Sequence, residues 1–244
     1  MRPISRLRLS PALQVCVILL FASPLAMITP ASATGSTSSL TTTISGHAGT
    51  AFDDVPLALG YSHACVVRST GAANCWGEGY SGQNGNGRSN REWSPVTVSK
   101  PSNMNFTSIA AFRYSTCGIM DNGYLYCWGE NSYSRLGDGT SDARSTPGLV
   151  SMPPTERVVA VSMGYYHTCA ITEDRDLWCW GKDTQGELGY EDNTVSSSQP
   201  FPVQIQTPGN TTVRAVSTGH EFTCVITHIR DVWCTGYNYQ GQLG

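Results

Sequence analysis

Eight cysteines fall into four pairs, Cys65 with Cys75, Cys117 with Cys127, Cys169 with Cys179 and Cys224 with Cys234, each with nine residues between its members. Successive pairs begin 52, 52 and 55 residues apart. A period of this size means one supersecondary unit copied along the chain, since such a unit buries its apolar face only by stacking on its neighbours. Flanking residues keep the same period. Ahead of the first cysteine stand Gly60-Tyr-Ser-His63-Ala, Phe112-Arg-Tyr-Ser-Thr, Gly164-Tyr-Tyr-His167-Thr and Gly219-His-Glu-Phe-Thr. Behind the second stand Trp76-Gly77, Trp128-Gly129, Trp180-Gly181 and Thr235-Gly236, and further on Gln83-Asn84-Gly85, Arg135-Leu-Gly137, Glu187-Leu-Gly189 and Gln242-Leu-Gly244.

Each period reads as four short strands. In the third copy these are residues 147–152, 157–164, 167–172 and 176–181, apolar or β-branched and bounded by Gly, Pro, Asn or Asp. No helical period runs through residues 34–244. Four strands in about 50 residues with a Trp-Gly signature describe an all-β chain, a β-propeller of four-stranded blades with about four repeats present.

Hairpin geometry accounts for the cysteine spacing. Pairing Cys117 with Cys127 sets Met120 opposite Tyr124 and leaves a three-residue loop ending in Gly123, where a type I turn with a bulge wants a left-handed residue. Gly71 repeats this in the first copy. The cysteines then face each other at a cross-strand separation that a disulfide spans. Arg175 and Arg230 take the glycine's place in the last two copies, so those turns are expected to be different or strained. All four pairs are expected as disulfides, each closing about 11 residues and worth roughly 3 kcal/mol in the chain-entropy model. A zinc site is the poorer alternative: no Cys-x-x-Cys occurs, and only His63 and His167 recur beside cysteines.

The remaining cysteine, Cys16, lies in an N-terminal stretch with the marks of an export signal. Arg2, Arg6 and Arg8 form a basic start, residues 13–28 are apolar but broken by Gln14 and Pro24, and Ala31-Ser32-Ala33 supplies a cleavage site. Residues 1–33 are expected to be removed, leaving no membrane anchor and an even number of cysteines in an oxidising compartment. Residues 34–51 are rich in Ser, Thr and Gly and read as a linker, with 40–45 able to form a strand. Residues 52–244 hold the repeats. The net charge of -3 becomes about -6 without the three leader arginines (12 basic against 18 acidic), and only 14% of residues are charged. A nucleic-acid partner is therefore not expected.

The repeated Gly-x-x-His-Thr-Cys-Ala and Cys-Trp-Gly-x-Asn-x-x-Gly-Gln-Leu-Gly-Asp-Gly-Thr pattern resembles the repeat of the regulator of chromosome condensation family, over residues 52–244. The resemblance implies a β-propeller, commonly seven-bladed, with one blade per repeat, and its paired cysteines are similar to those of secreted microbial members. Asn84 for the usual Leu, Phe112 for a Gly and Thr235 for the Trp depart from the pattern. Seven blades would need about 364 residues, and the chain stops inside a Gly-Gln-Leu-Gly motif, so the array is read as incomplete and the C-terminus as truncated.

Catalytic constellations are thin. Gly77-Glu-Gly79-Tyr-Ser-Gly82 matches a dinucleotide loop, but no strand–helix–strand unit surrounds it, and it reads as a repeat turn. Asp138 and Asp142 lack the ladder of a calcium loop. His63 and His167, without a partner carboxylate at fixed spacing, read as structural hydrogen-bonding residues. The recurring tryptophans, Trp76, Trp128, Trp178, Trp180 and Trp233, read as packing between blades. No catalytic residue, metal or cofactor is expected.

A scaffold holds its packing positions and varies its loops, so residues 85–93, 132–135, 190–198 and 237–239 are the binding candidates, with Trp93, Tyr133, Tyr237, Asn238 and Tyr239 as contact residues. Asn105 and Asn210 begin glycosylation sequons at one repeat location. The expectation is a secreted, non-enzymatic binding module for an extracellular protein or cell-surface polymer. Two alternatives follow from the resemblance: inhibition of a secreted hydrolase, as in one secreted relative that blocks β-lactamases, and nucleotide exchange on a small GTPase, which secretion disfavours.

Overall fold

A computed structural model describes residues 5–7, 55–189 and 197–244. Four antiparallel sheets of four strands make up the fold. Residues Ser5–Leu7 form β1. The first blade holds β2 (Leu57–Leu59), β3 (His63–Val67), β4 (Ala73–Gly77) and β5 (Glu92–Thr97). The second holds β6 (Phe106–Phe112), β7 (Ser115–Met120), β8 (Leu125–Gly129) and β9 (Arg144–Leu149). The third holds β10 (Val158–Met163), β11 (His167–Thr172), β12 (Leu177–Lys182) and β13 (Ser198–Ile205), and the fourth β14 (Val213–Thr218), β15 (Phe222–Thr227) and β16 (Val232–Gly236) with β1 at its edge. Of residues 1–33, read above as an export signal, only this strand is described; the linker 34–51 lies outside the described residues. No helix among those described is long and apolar enough to cross a membrane.

Blade phase differs from the sequence reading. The sequence groups residues 147–152 with the third copy, but β9 pairs with β8 and closes the second blade from outside, and the third blade takes β13 instead. Each blade is thus a cysteine hairpin flanked by the strand before it and the strand after it. First strands of successive blades touch one another, which places them innermost. Every residue of β7, β8 and β11 is buried, because a neighbouring blade covers each face, whereas β5 at an outer edge is largely exposed.

The four disulfides form with the expected partners. Cys65 bonds to Cys75, Cys117 to Cys127, Cys169 to Cys179 and Cys224 to Cys234, each bridge joining the two central strands of a blade with Cα atoms 4.1 Å apart. In every blade the two cysteines are directly opposed in the strand register: Cys75 on β4 faces Cys65, Cys127 on β8 faces Cys117, Cys179 on β12 faces Cys169, and Cys234 on β16 faces Cys224. Bridges of this kind fit an oxidising compartment. Turns between those strands are alike in all four blades: φ is 74° at Gly71, 78° at Gly123, 68° at Arg175 and 65° at Arg230. The arginine turns keep the glycine conformation and carry its strain rather than changing type.

Hydrophobic cores lie between blades, not within them. Ala58 and Val67 of the first blade pack with Phe106 and Trp128 of the second; Ile119 and Leu125 pack with Val158 and Trp180; Ile171 and Leu177 pack with Val213 and Val225. Trp128 and Trp180 are fully buried, and each indole N–H donates to a carbonyl of the preceding blade, Gln83 at 2.9 Å and Arg135 at 2.8 Å. The same carbonyls accept from Thr116 and Thr168. Thr235 stands where the last blade lacks its tryptophan and donates instead to the Gly186 carbonyl at 2.7 Å.

Candidate functional site: the loop face

Antiparallel alternation sends the loop between first and second strands, and the loop between third and fourth, to one end of every blade. Cysteine turns and blade-to-blade connections fill the opposite end. The loop face therefore collects residues 60–62, 78–91, 113–114, 130–143, 164–166, 183–189, 219–221 and 237–244 among those described.

Four equivalent positions, Tyr61, Arg113, Tyr165 and His220, run across the inner part of this face, one per blade. The Arg113 guanidinium lies 4.0 Å over the Tyr165 ring, and Tyr165 stacks on His220 at 4.0 Å. Tyr114 links the first two blades by an edge contact with Tyr61 at 5.9 Å. Backbone bonds hold adjacent loops in register: Tyr61 N–H donates to the Arg113 carbonyl at 2.9 Å and Tyr165 N–H to that of Gly219 at 3.3 Å. Tyr61 is 77% exposed, so the row ends in an open aromatic surface.

Buried charges underpin this row. Arg135 replaces the glutamine of the motif and is buried; its guanidinium donates to the Tyr165 carbonyl at 2.8 Å, faces Glu130 at 3.4 Å and lies 4.7 Å over Tyr166. Burial lowers its pKa to about 10, with Glu130 opposing, so it stays charged at neutral pH. One blade on, Lys182 reaches Glu187 at 3.4 Å and binds Glu221 of the next blade. Burial pulls Lys182 down, but both carboxylates outweigh it and raise its pKa. Burial also pushes Asp183 up to about 6.

Of the contact residues expected from sequence, Tyr133, Tyr237, Asn238 and Tyr239 lie in loops of this face, and Trp93 stands at its rim, on the strand that the 78–91 loop enters. Tyr133 packs edge-on against Tyr166 at 4.8 Å, Tyr237 and Tyr239 stack at 6.3 Å, and Trp93 is 85% exposed at the start of β5. They do not converge on one pocket. Asn238 has a turn role as well: its side chain accepts from Leu243 N–H at 3.0 Å, as Asn131 does from Leu136 and Asp183 from Leu188. Most of segment 190–198 lies outside the described residues. The row Tyr61, Arg113, Tyr165, His220 escapes a sequence reading because its positions sit within the repeated motif; the available signal is their variation inside that motif.

Residues weighed for chemistry have structural partners. His63 and His167 are buried with Nε2 2.8 Å from the hydroxyls of Thr116 and Thr223, each in the next blade. Asp138 accepts from Thr140 and Asn131 and pairs with Arg144 at 3.0 Å, closing its own loop. Among the described residues no cluster of three or more His, Cys, Asp or Glu could hold a metal.

Two family models, both for the Regulator of chromosome condensation (RCC1) repeat, match this chain: one over residues 122–171 and 174–226, the other over 57–83, 106–135, 158–187 and 213–242. The chain is 29% identical over 188 residues to the Ultraviolet-B receptor UVR8 of Arabidopsis thaliana, covering 77% of this chain and 42% of that protein. It is 31% identical to the human Regulator of chromosome condensation, covering 75% and 43%. The crystal structure of human WBSCR16 superposes with a TM-score of 0.69 at 23% identity, over 81% of this chain and 52% of that one. The chain thus spans less than half the length of the first two relatives. Its repeat matches, which span all four disulfide-stapled blades, place the chain in the RCC1 repeat family.

Proposed function

We propose that the chain is a secreted binding module that holds an extracellular protein or cell-surface polymer on its loop face. The observation that supports this reading is the row of Tyr61, Arg113, Tyr165 and His220: one backbone frame, repeated in four blades, presents four side chains side by side, three of them different in kind. Packing needs repetition, and variation on a fixed frame is the mark of recognition. Aromatic and arginine side chains are also those that carry binding energy when buried against a partner. The face is assigned to binding rather than to bond chemistry, in an exported protein whose leader, residues 1–33, includes the β1 strand at the edge of the fourth blade, so that its removal leaves β14, β15 and β16 there.

The test is retention of partners from spent medium and cell envelope of the producing organism on the immobilised, disulfide-intact full chain, with Tyr61→Ala, Arg113→Ala and His220→Ala in parallel. A partner held by the parent and lost by these variants supports the reading. The same partners held equally by all would overturn it, and a captured hydrolase that loses activity would specify the module as an inhibitor.

A further inference from the structure

The first blade carries a second aromatic–cation group away from the central row. Arg91 lies over the rings of Trp93 at 5.1 Å and Tyr80 at 5.9 Å. Trp93 is 85% exposed and Tyr80 60%, and Arg91 and Arg88 are exposed beside them. No hydrogen bond or ion pair joins the Arg91 guanidinium to any described residue. Its neighbour Glu92 is engaged elsewhere, accepting from the Asn86 amide at 2.8 Å and the Asn90 amide at 3.1 Å. Those bonds, with Gly87 N–H to the Ser145 carbonyl at 2.8 Å, tie the loop to itself and to the second blade.

The group is specific to this blade. Gly77, Gly129 and Gly181 pair with Glu92, Arg144 and Gln199, so Trp93 corresponds to Ser145 and Pro200. Neither replacement offers an aromatic ring. An indole this exposed has no packing role in its own blade, and a guanidinium stacked on rings with its N–H edge unpaired is ordered in advance for a planar, two-oxygen acceptor. The surrounding loop, Gly79-Tyr-Ser-Gly-Gln-Asn-Gly-Asn-Gly-Arg-Ser-Asn90, has the Tyr, Ser, Gly and Asn composition of surfaces that recognise folded proteins.

We infer that Tyr80, Arg91 and Trp93 form a carboxylate-receiving anchor for an acidic side chain of a protein partner, with Arg88 adding to the local positive field. This rests on the loop face being the binding face and names the partner chemistry at one point of it. Charge complementarity supports an acidic protein segment: the acceptor pairs edge-on with Arg91 while its neighbouring side chains cover Trp93.

The experiment pans a phage-displayed random dodecapeptide library on the immobilised full chain, with Arg91→Gln, Arg91→Lys and Trp93→Ala beside it and intact disulfides checked by non-reducing peptide mapping. Expected are peptides enriched in Asp or Glu whose affinity falls about tenfold or more with Arg91→Gln and Trp93→Ala. Arg91→Lys, which keeps the charge but loses the fork, should weaken them as well. Peptides without acidic enrichment, or acidic peptides indifferent to Arg91→Gln, overturn the inference. So does alginate, a polyuronate offered as the second probe, if it binds through Arg91 while acidic peptides do not. Peptides lost with Tyr61→Ala yet untouched by Arg91→Gln would overturn this anchor and leave the loop-face reading standing; peptides indifferent to every face variant would sink both.

Discussion

Phe112 and Ser115 exchange bulk. In the other three blades a glycine is followed three residues later by a ring: Gly60 and His63, Gly164 and His167, Gly219 and Phe222. A Cβ on those glycines would lie 2.1, 2.5 and 2.2 Å from the ring's Cε1, so the ring fills the space above a bare backbone. In the second blade Phe112 occupies the first position, the later residue shrinks to Ser115, and its hydroxyl donates to the Glu130 carbonyl at 2.7 Å. Ser115→His alone should cost about 1–3 kcal/mol through overpacking. Combined with Phe112→Gly it should show a favourable coupling of about 1 kcal/mol or more, measured by urea denaturation of the four-member cycle; strict additivity would refute the exchange.

Acid should loosen two seams through their histidines. Burial lowers His63 to about 4 and His167 to about 3, against roughly 6.5 in an unfolded chain. Their contribution is complete above pH 6.5. As pH falls below that, the unfolded state takes up protons the folded state refuses, and stability drops by up to about 1.4 kcal/mol per pH unit per histidine, ending near the folded values. His63→Gln with His167→Gln should flatten the slope between pH 6.5 and 4 in chemical denaturation.

Asp183 should act with the opposite sign. Its pKa of about 6 lies above that of an unfolded aspartate because burial penalises the charge, so ionisation costs stability as pH rises through 4 to 6. Asparagine already fills the matching turn positions 131 and 238. Asp183→Asn should therefore raise the melting temperature at pH 7 and leave it nearly unchanged at pH 4.

Arg175 and Arg230 hold a glycine conformation. Each turn closes by the same bond, Arg175 N–H to the Thr172 carbonyl and Arg230 N–H to that of Thr227, both at 2.9 Å. Replacing either by glycine should stabilise the chain by about 1 kcal/mol. Gly123→Ala, at φ 78°, should lose a similar amount, and equal stability for all three variants would contradict the assigned turn.

The seam between the third and fourth blades is underfilled. Thr235 replaces the indole found at 128 and 180, and Val225 fills part of the gap where Gly118 and Ala170 stand in the other blades, leaving a void among Leu177, Leu188, Ile205 and Trp233. Thr235→Trp alone should clash with Val225. With Val225→Ala it should raise the melting temperature, since the cavity-filling ring regains a tryptophan seam.

Periodicity made the blades and their disulfides legible, because the cysteine spacing encodes a hairpin and its register. Blade phase was not legible: Arg144–Leu149 is equally a last strand or a first one until β8 is seen to pair with it. The arginine turns misled in one respect, since flanking strands and a disulfide force the left-handed conformation on whichever residue stands there. On the loop face, Trp93, Tyr133 and Tyr239 were visible as variable residues, but Arg113 was not, because its stacking on Tyr165 joins residues 52 positions apart.

The disulfides all close within single hairpins, and this turns oxidation into a local problem. Eight thiols can in principle be joined in 105 ways. Here every native partner sits only 10 positions away along the chain, nearer than any other blade's cysteine, so each pair meets most often by chain proximity alone. The bridges can be made one hairpin at a time as the chain emerges, before any seam between blades exists, and a blade already oxidised has no free thiol to offer another, so mispairing then requires a thiolate to attack a finished bridge.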